Sequence, residues 1–192
     1  MRTFVFKNRG ALLVPVALAL VIFGRPSPLS TLAGIIVAAC GELLRIWAVG
    51  YSGVTTRADS VTAPALVTGG PYAIVRNPLY VGNALIALGF WLAFAGRLSA
   101  AVAIALLAFV AVLVVGVYAV IVPLEEAYLA RTFGEEYARY RAVVPRALPA
   151  GRSLSKADRK GNWRAEVIAR AESITLALFA LMVAAVLVRL RW

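Results

Sequence analysis

LSAAVAIALLAFVAVLVVGVYAVIV, residues Leu98 to Val122, carries no charged side chain and is long enough to cross a bilayer as one helix. In hydrocarbon every backbone N–H and C=O must be satisfied within the segment, so a helix is the expected form. Upstream, the short link Ala95-Gly96-Arg97 joins this run to another apolar run, Leu79 to Ala95. Pro78 opens that run, at a position where its missing N–H costs nothing. Two helices joined so tightly are antiparallel neighbours. Further back, Leu29 to Tyr51 is a third apolar run of spanning length. It holds Glu42 and Arg45 at i, i+3, on one face and able to neutralise each other. Such a pair either locks helix packing or lines a polar cavity.

Ala11 to Phe23 is apolar but short for a span, and contains Pro15. It is expected to extend back toward Phe4, to tilt, or to re-enter. Arg2, Lys7 and Arg9 ahead of it imitate a signal peptide. More apolar runs follow with no small-residue cleavage site before a polar chain, so it reads as a retained first segment. Gly24 to Pro28 forms a tight turn, and Ser52 to Thr68 a polar connector with Arg57 and Asp59. At the far end, Ala150 to Asn162 is expected to be a solvated basic linker. Trp163 to Arg170 reads as an interfacial turn, and Ile174 to Leu190 as a last span. The expected fold is an all-α polytopic membrane helical bundle of about five transmembrane helices.

Composition agrees. The chain is 62% hydrophobic, with a mean hydropathy of +0.85, against about 45–50% apolar for soluble domains. A net charge of +11 fits positive loops held on the cytoplasmic side better than a nucleic-acid partner. With the N-terminus inside, Arg25, Arg97, Arg189 and Arg191 fall outside and Arg45 lies in a span. The other fifteen of the 20 Lys and Arg residues fall inside. The chain has no histidine, and its single cysteine, Cys40, lies in an apolar run. A metal site, a disulfide framework and a histidine general base are therefore not expected.

Two polar, aromatic-bearing stretches stand against this apolar background. Thr68 to Asn83 reads TGGPYAIVRNPLYVGN, and Leu124 to Pro149 reads LEEAYLARTFGEEYARYRAVVPRALP. Gly69-Gly70-Pro71-Tyr72 is a turn that lets backbone approach a ligand beside an aromatic ring. Arg76-Asn77-Pro78 brings a cation and an amide to a helix start, where free N–H groups favour anions. Glu125 and Glu126 sit at the inner mouth of the longest span. Pro123 is expected to end or kink that span, with a short helix to about Phe133. Gly134 would be its C-cap, Glu135 to Ala142 a second short helix, and Val143 to Pro149 extended. Taken singly, each feature has a plain reading: a turn, a positive-inside anchor, a helix-dipole partner, or interfacial tyrosines at Tyr137 and Tyr140. Taken together, backbone donors, an amide, tyrosine faces and a carboxylate suit a zwitterion with an extra positive charge, such as a sulfonium.

The order GPY-x3-R-[HN]-P-x-Y-x-G, a long hairpin, then EE-x6-FG-x-EY-x2-Y-x3-VPR-x-LP resembles the isoprenylcysteine carboxyl methyltransferase and phospholipid methyltransferase superfamily, over about Leu66 to Pro149. The resemblance implies S-adenosylmethionine bound on the cytosolic side and a lipidic acceptor reached through the membrane. By it, Leu66 and Val67 offer backbone to the cofactor, with Gly70 at its turn. Tyr72, Asn77, Pro78, Leu79 and Tyr80 wall it, and Glu125 with Glu126 holds its polar end. Arg76 and Arg146 would orient an anionic substrate or the cofactor carboxylate, and Tyr140 joins them as a catalytic candidate. Asn77 replaces the family's common histidine, as phospholipid methyltransferases also tend to have. Ile121 stands where prenylcysteine enzymes place an arginine, which weakens a prenylcysteine-type reading.

The expected activity is methyl transfer to a lipidic or amphiphilic acceptor among membrane lipids, without metal. An amine or thiol acceptor needs a base, and only carboxylates, tyrosines or water remain; a carboxylate acceptor needs none. The rivals are an NADPH-dependent reductase of the sterol-reductase type and a non-enzymatic lipid-binding protein. The expected organisation is a membrane methyltransferase core over residues 1–149 and a linker, interfacial helix and extra transmembrane helix over 150–192. The expected location is a prokaryotic plasma membrane, with N-terminus and site cytoplasmic. The acceptor and the oligomeric state stay open.

Overall fold

The computed structural model describes residues 8–53 and 63–191. Arg2, Phe4, Lys7, Arg57 and Asp59 lie outside the described residues, and with them the backward extension toward Phe4. A 3-10 turn, Ala11–Leu13, leads into α1, Val14–Phe23. Then come α2, Pro28–Ser52, α3, Pro78–Ala95, and α4, Ala100–Val143. The chain closes with α5, Ile168–Ala171, and α6, Ser173–Leu190. The described residues form no strand. The fold is a polytopic helical bundle in which α2, α3, α4 and α6 are long and apolar enough to cross a membrane, with Ala11–Phe23 a shorter apolar helix.

The helix ends follow local chemistry. Ser27 caps α2 in a reciprocal capping box with Ser30, and Pro28 sits in the first turn, so this proline starts a helix. Pro78 does the same for α3. Glycine stripes bring α2 and α3 into backbone contact. A Cβ at Gly89 would lie 2.6 Å from the Gly34 carbonyl oxygen, and one at Gly41 would lie 2.6 Å from that of Gly82. Small residues at this spacing let helices approach where lipid offers no hydrophobic drive. Around this pair, Val16, Leu20, Phe90, Phe94, Val110, Val114 and Val186 form one core from α1, α3, α4 and α6.

Three expectations change. Pro123 does not end a helix, since α4 runs through it, but the break expected at Gly134 is there: that residue is non-helical at φ 50°, ψ −122°, with a second helical piece after it. Ala100 to Phe133 is about 50 Å at ~1.5 Å per residue, about 20 Å longer than a straight crossing of a ~30 Å hydrocarbon core requires. Arg45 does reach Glu42, at 3.8 Å, but its closer partner is Glu172, at 2.7 Å. Glu172 is fully buried and arrives from the α5–α6 junction, a separation no helical spacing reveals. Finally, Tyr137 and Tyr140 are not belt residues. They are buried with Leu66, Ala73, Val144 and Leu154 in a second core beside the long α4 extension.

One end of the bundle carries Arg25, Arg97 and Arg189, where Arg189 Nη2 donates to the Gly24 carbonyl at 2.8 Å. The opposite end carries both polar stretches.

Candidate active site

The two stretches are stitched together by main chain. The Arg76 N–H donates to the Pro145 carbonyl at 2.8 Å and the Asn77 N–H to the Arg146 carbonyl at 3.1 Å. Asn77 Nδ2 adds a second bond to that Arg146 carbonyl at 3.1 Å. Glu126 then takes both cations: Arg76 Nη2 lies 3.0 Å from Oε1, and Arg146 Nη2 is on Oε2. Glu126 is buried, while the Arg146 side chain is 56% exposed. Charge-assisted bonds of this kind are roughly twice as strong as neutral ones. Arg146 is accordingly held above its ordinary pKa by its hydrogen bond to Glu126 and by that carboxylate's charge. Two guanidinium groups on one carboxylate leave the triad one positive charge in excess.

Glu125, one residue earlier, points elsewhere. It accepts from the Tyr80 hydroxyl at 2.6 Å. The Tyr80 ring sits 4.6 Å, centroid to centroid, from that of Tyr118. Tyr140 Oη donates to the Tyr72 carbonyl at 2.8 Å, which fixes the GPY turn against the α4 extension. The turn itself needs glycine: Gly70 has φ +57°, and a Cβ there would collide with the Tyr51 ring. Burial raises the Tyr72 phenol well above its ordinary pKa, with a Ser52 hydrogen bond opposing and Glu125 adding to it. Tyr72 therefore stays neutral and presents its ring and O–H.

Two adjoining cavities open between these groups. The larger, about 760 Å³, runs along one face of α3 from Asn77, Tyr80 and Asn83 to Ile86, Ala87 and Phe90. That face changes from polar to apolar along its length. The smaller, about 440 Å³, is lined by Tyr51, Leu66, Val67, Tyr72 and Tyr140 among others. Tyr72, Arg76, Ala63 and Leu129 line both.

Of the residues named from sequence, Tyr72, Arg76, Asn77, Pro78, Leu79, Tyr80 and Glu125 line the larger cavity. Leu66, Val67 and Tyr140 line the smaller. Gly70 lies beneath them on Tyr51, and Glu126 and Arg146 stand behind the walls as the ion-pair triad. Ile121 is fully buried against Leu12, Leu13, Tyr80 and Tyr118. No group of His, Cys, Asp and Glu able to hold a metal occurs among the described residues.

Sequence reasoning missed Tyr51, Tyr118, Thr175 and the link from Arg45 Nη1 to Asn83 Oδ1. A tyrosine inside an apolar span and a charge inside another were the available signals. Gly82 belongs to this link: a Cβ there would lie 2.6 Å from Arg45 Cγ, so glycine makes room for the arginine stem.

Fold and site together define a polytopic membrane protein in which a polar, aromatic chamber meets a long amphipathic one at a single end of the bundle. The chain belongs to the phospholipid methyltransferase family, whose model matches residues 29–136, more than half of it. It is a membrane methyltransferase. No curated protein and no solved structure matches it.

Proposed function

We propose that this methyltransferase draws its methyl group from S-adenosylmethionine and passes it to a lipidic or amphiphilic acceptor at the cytoplasmic membrane face. The observation that carries this reading is the meeting of two unlike chambers at Tyr72 and Arg76. The smaller chamber suits the donor. Its size falls within the roughly 300–1,000 Å³ of small-molecule sites. Main chain at Leu66 and Val67 offers hydrogen bonds to a base, and Tyr51, Tyr72 and Tyr140 offer ring faces to a cation. S-adenosylmethionine, when bound, supplies an electrophilic methyl on a sulfonium.

In this reading the donor's sulfonium end passes the junction at Tyr72 into the larger chamber, where Glu125, fixed by Tyr80, faces it and Asn77, Pro78 and Leu79 wall it. Arg76 and Arg146 orient an anionic part of the acceptor through the surplus charge they keep on Glu126. Tyr140 acts as a positioning residue by pinning the Tyr72 carbonyl. Ile86, Ala87, Phe90 and Phe179 give the acceptor's hydrocarbon chain an apolar channel. The chain's contribution to rate is to hold the reacting atoms about 3–3.5 Å apart and to exclude water. An amine or thiol acceptor would pass its proton to Glu125 or to water, since histidine is absent and burial keeps the Tyr72 phenol neutral. Residues 1–149 are the methyltransferase core, with 150–192 an addition to it, in the plasma membrane of a prokaryote.

Calorimetric titration of detergent-purified protein with S-adenosylmethionine and S-adenosylhomocysteine tests this. Micromolar binding is expected in the wild type and its loss in Glu125→Gln and Tyr80→Ala. A folded wild type that binds neither ligand overturns the donor assignment, and NADPH in the same cell tests a reductase instead.

A further inference from the structure

The segment from Leu154 to Arg164 lies beyond the family match and is unused in the mechanism above. Its side chains are mostly exposed, as a solvated linker requires, but its backbone is fastened down. The Leu154 N–H donates to the Ala73 carbonyl at 3.1 Å, and Leu154 is buried in the second core. The Lys160 carbonyl accepts from the Thr68 and Gly69 N–H groups at 3.1 and 2.8 Å. The Lys160 N–H donates to Thr68 Oγ1 at 2.8 Å. The Arg164 N–H donates to the Gly50 carbonyl at 2.9 Å, and the Trp163 indole lies against Gly50, where no Cβ would fit. The strap thus crosses the GGPY turn and brings Gly161, Asn162 and Arg164 to the wall of the smaller chamber.

Charge then singles out Arg164. Arg76 is the other guanidinium on that wall, and Glu126 already holds it. Arg164 makes no ion pair with a described residue. Its guanidinium lies beside Gly53, at the C-terminal end of α2. A planar cation on a chamber's wall, with no ion-pair partner among the described residues, favours a carboxylate there.

We propose that Arg164 binds the carboxylate of the donor's amino-acid end, and that the strap, through Lys160 and Thr68, holds it in place. This rests on S-adenosylmethionine being the donor. The test titrates wild type, Arg164→Ala and Arg164→Lys with S-adenosylhomocysteine and with 5′-methylthioadenosine, which lacks the carboxylate. Arg164→Ala is expected to weaken S-adenosylhomocysteine binding about tenfold to a hundredfold, with Arg164→Lys recovering part of it. Binding of 5′-methylthioadenosine stays unchanged. Equal loss for both ligands makes Arg164 a structural residue and overturns the proposal. So does undiminished S-adenosylhomocysteine binding, including the case where only retention of an anionic phospholipid in nanodiscs falls, which marks a lipid-phosphate contact. A wild type that binds neither nucleoside removes the donor reading itself, and this inference with it.

Discussion

Glu126 carries more of the site's architecture than its neighbour Glu125, although the two are adjacent and chemically alike. Its carboxylate is buried and joins Arg76 of one stretch to Arg146 of the other. An amide in its place keeps one accepting oxygen of the two and neutralises neither cation. Removing one partner of a buried ion pair costs about 3–5 kcal/mol, and the exposure of Arg146 places this case near the lower bound. Glu126→Gln is therefore expected to lose about 3 kcal/mol of stability, read as a lower thermal midpoint in detergent. Arg139→Ala, on the exposed side of the α4 extension, serves as the control and is expected to change little. Equal midpoints for the two variants would show that the triad does not hold the stretches together. The sequence made both stretches legible, because arginine, asparagine and paired glutamates stand out against apolar runs. It left the split between Glu125 and Glu126 closed. That split depends on which way each carboxylate leaves the helix, and Tyr80 and Arg146 settle it from distant elements.

At the scale of elements, the α2–α3 pair is the frame on which the site is mounted. Gly34 and Gly41 of α2 meet Gly89 and Gly82 of α3, with Ala38 and Ala93 between them. This closeness sets Arg45 of α2 against Asn83 of α3 and so shapes the larger chamber. A Cβ at Gly89 would lie 2.6 Å from the Gly34 carbonyl oxygen and 2.8 Å from Ala38 Cα, both backbone atoms that cannot turn aside. Overpacking of a tight core costs typically about 1–3 kcal/mol, occasionally more, and a backbone clash belongs at the top of that range. Gly89→Leu is expected to lower the thermal midpoint strongly or to give aggregated protein. Gly116→Leu on α4, where nothing lies within 4 Å of the added Cβ, is expected to be neutral. Similar melting of the two would mean that the helices are not locked at the glycines. The spans themselves were legible from length and hydropathy. Their partners were not, since every apolar face looks alike in lipid and small residues carry the only pairing signal. Of the two outcomes expected at Pro123, an end to the helix does not occur. A proline removes one helical bond, and α4 continues past that loss to Gly134.

For the whole molecule, the charges divide the two ends of the bundle. Arg25, Arg97 and Arg189 gather where α1 meets α2 and α3 meets α4. Ten Lys and Arg between Arg131 and Arg170 gather at the end that holds both chambers. Positive loops stay on the cytoplasmic side during insertion, so the chambers are expected to face the cytoplasm. Cysteine labelling in a Cys40→Ala background checks this in bacterial membranes. Ser153→Cys, exposed just ahead of the strap, is expected to react with a membrane-impermeant maleimide in inverted vesicles and not in right-side-out ones. Arg97→Cys, at the exposed hairpin between α3 and α4, is expected to give the opposite pattern. The reverse result for both would set the chambers on the outer face, away from soluble nucleoside donors, and S-adenosylmethionine would lose its route to the site. Equal labelling of either site from both sides would mean a mixed orientation, which a charge asymmetry this large argues against.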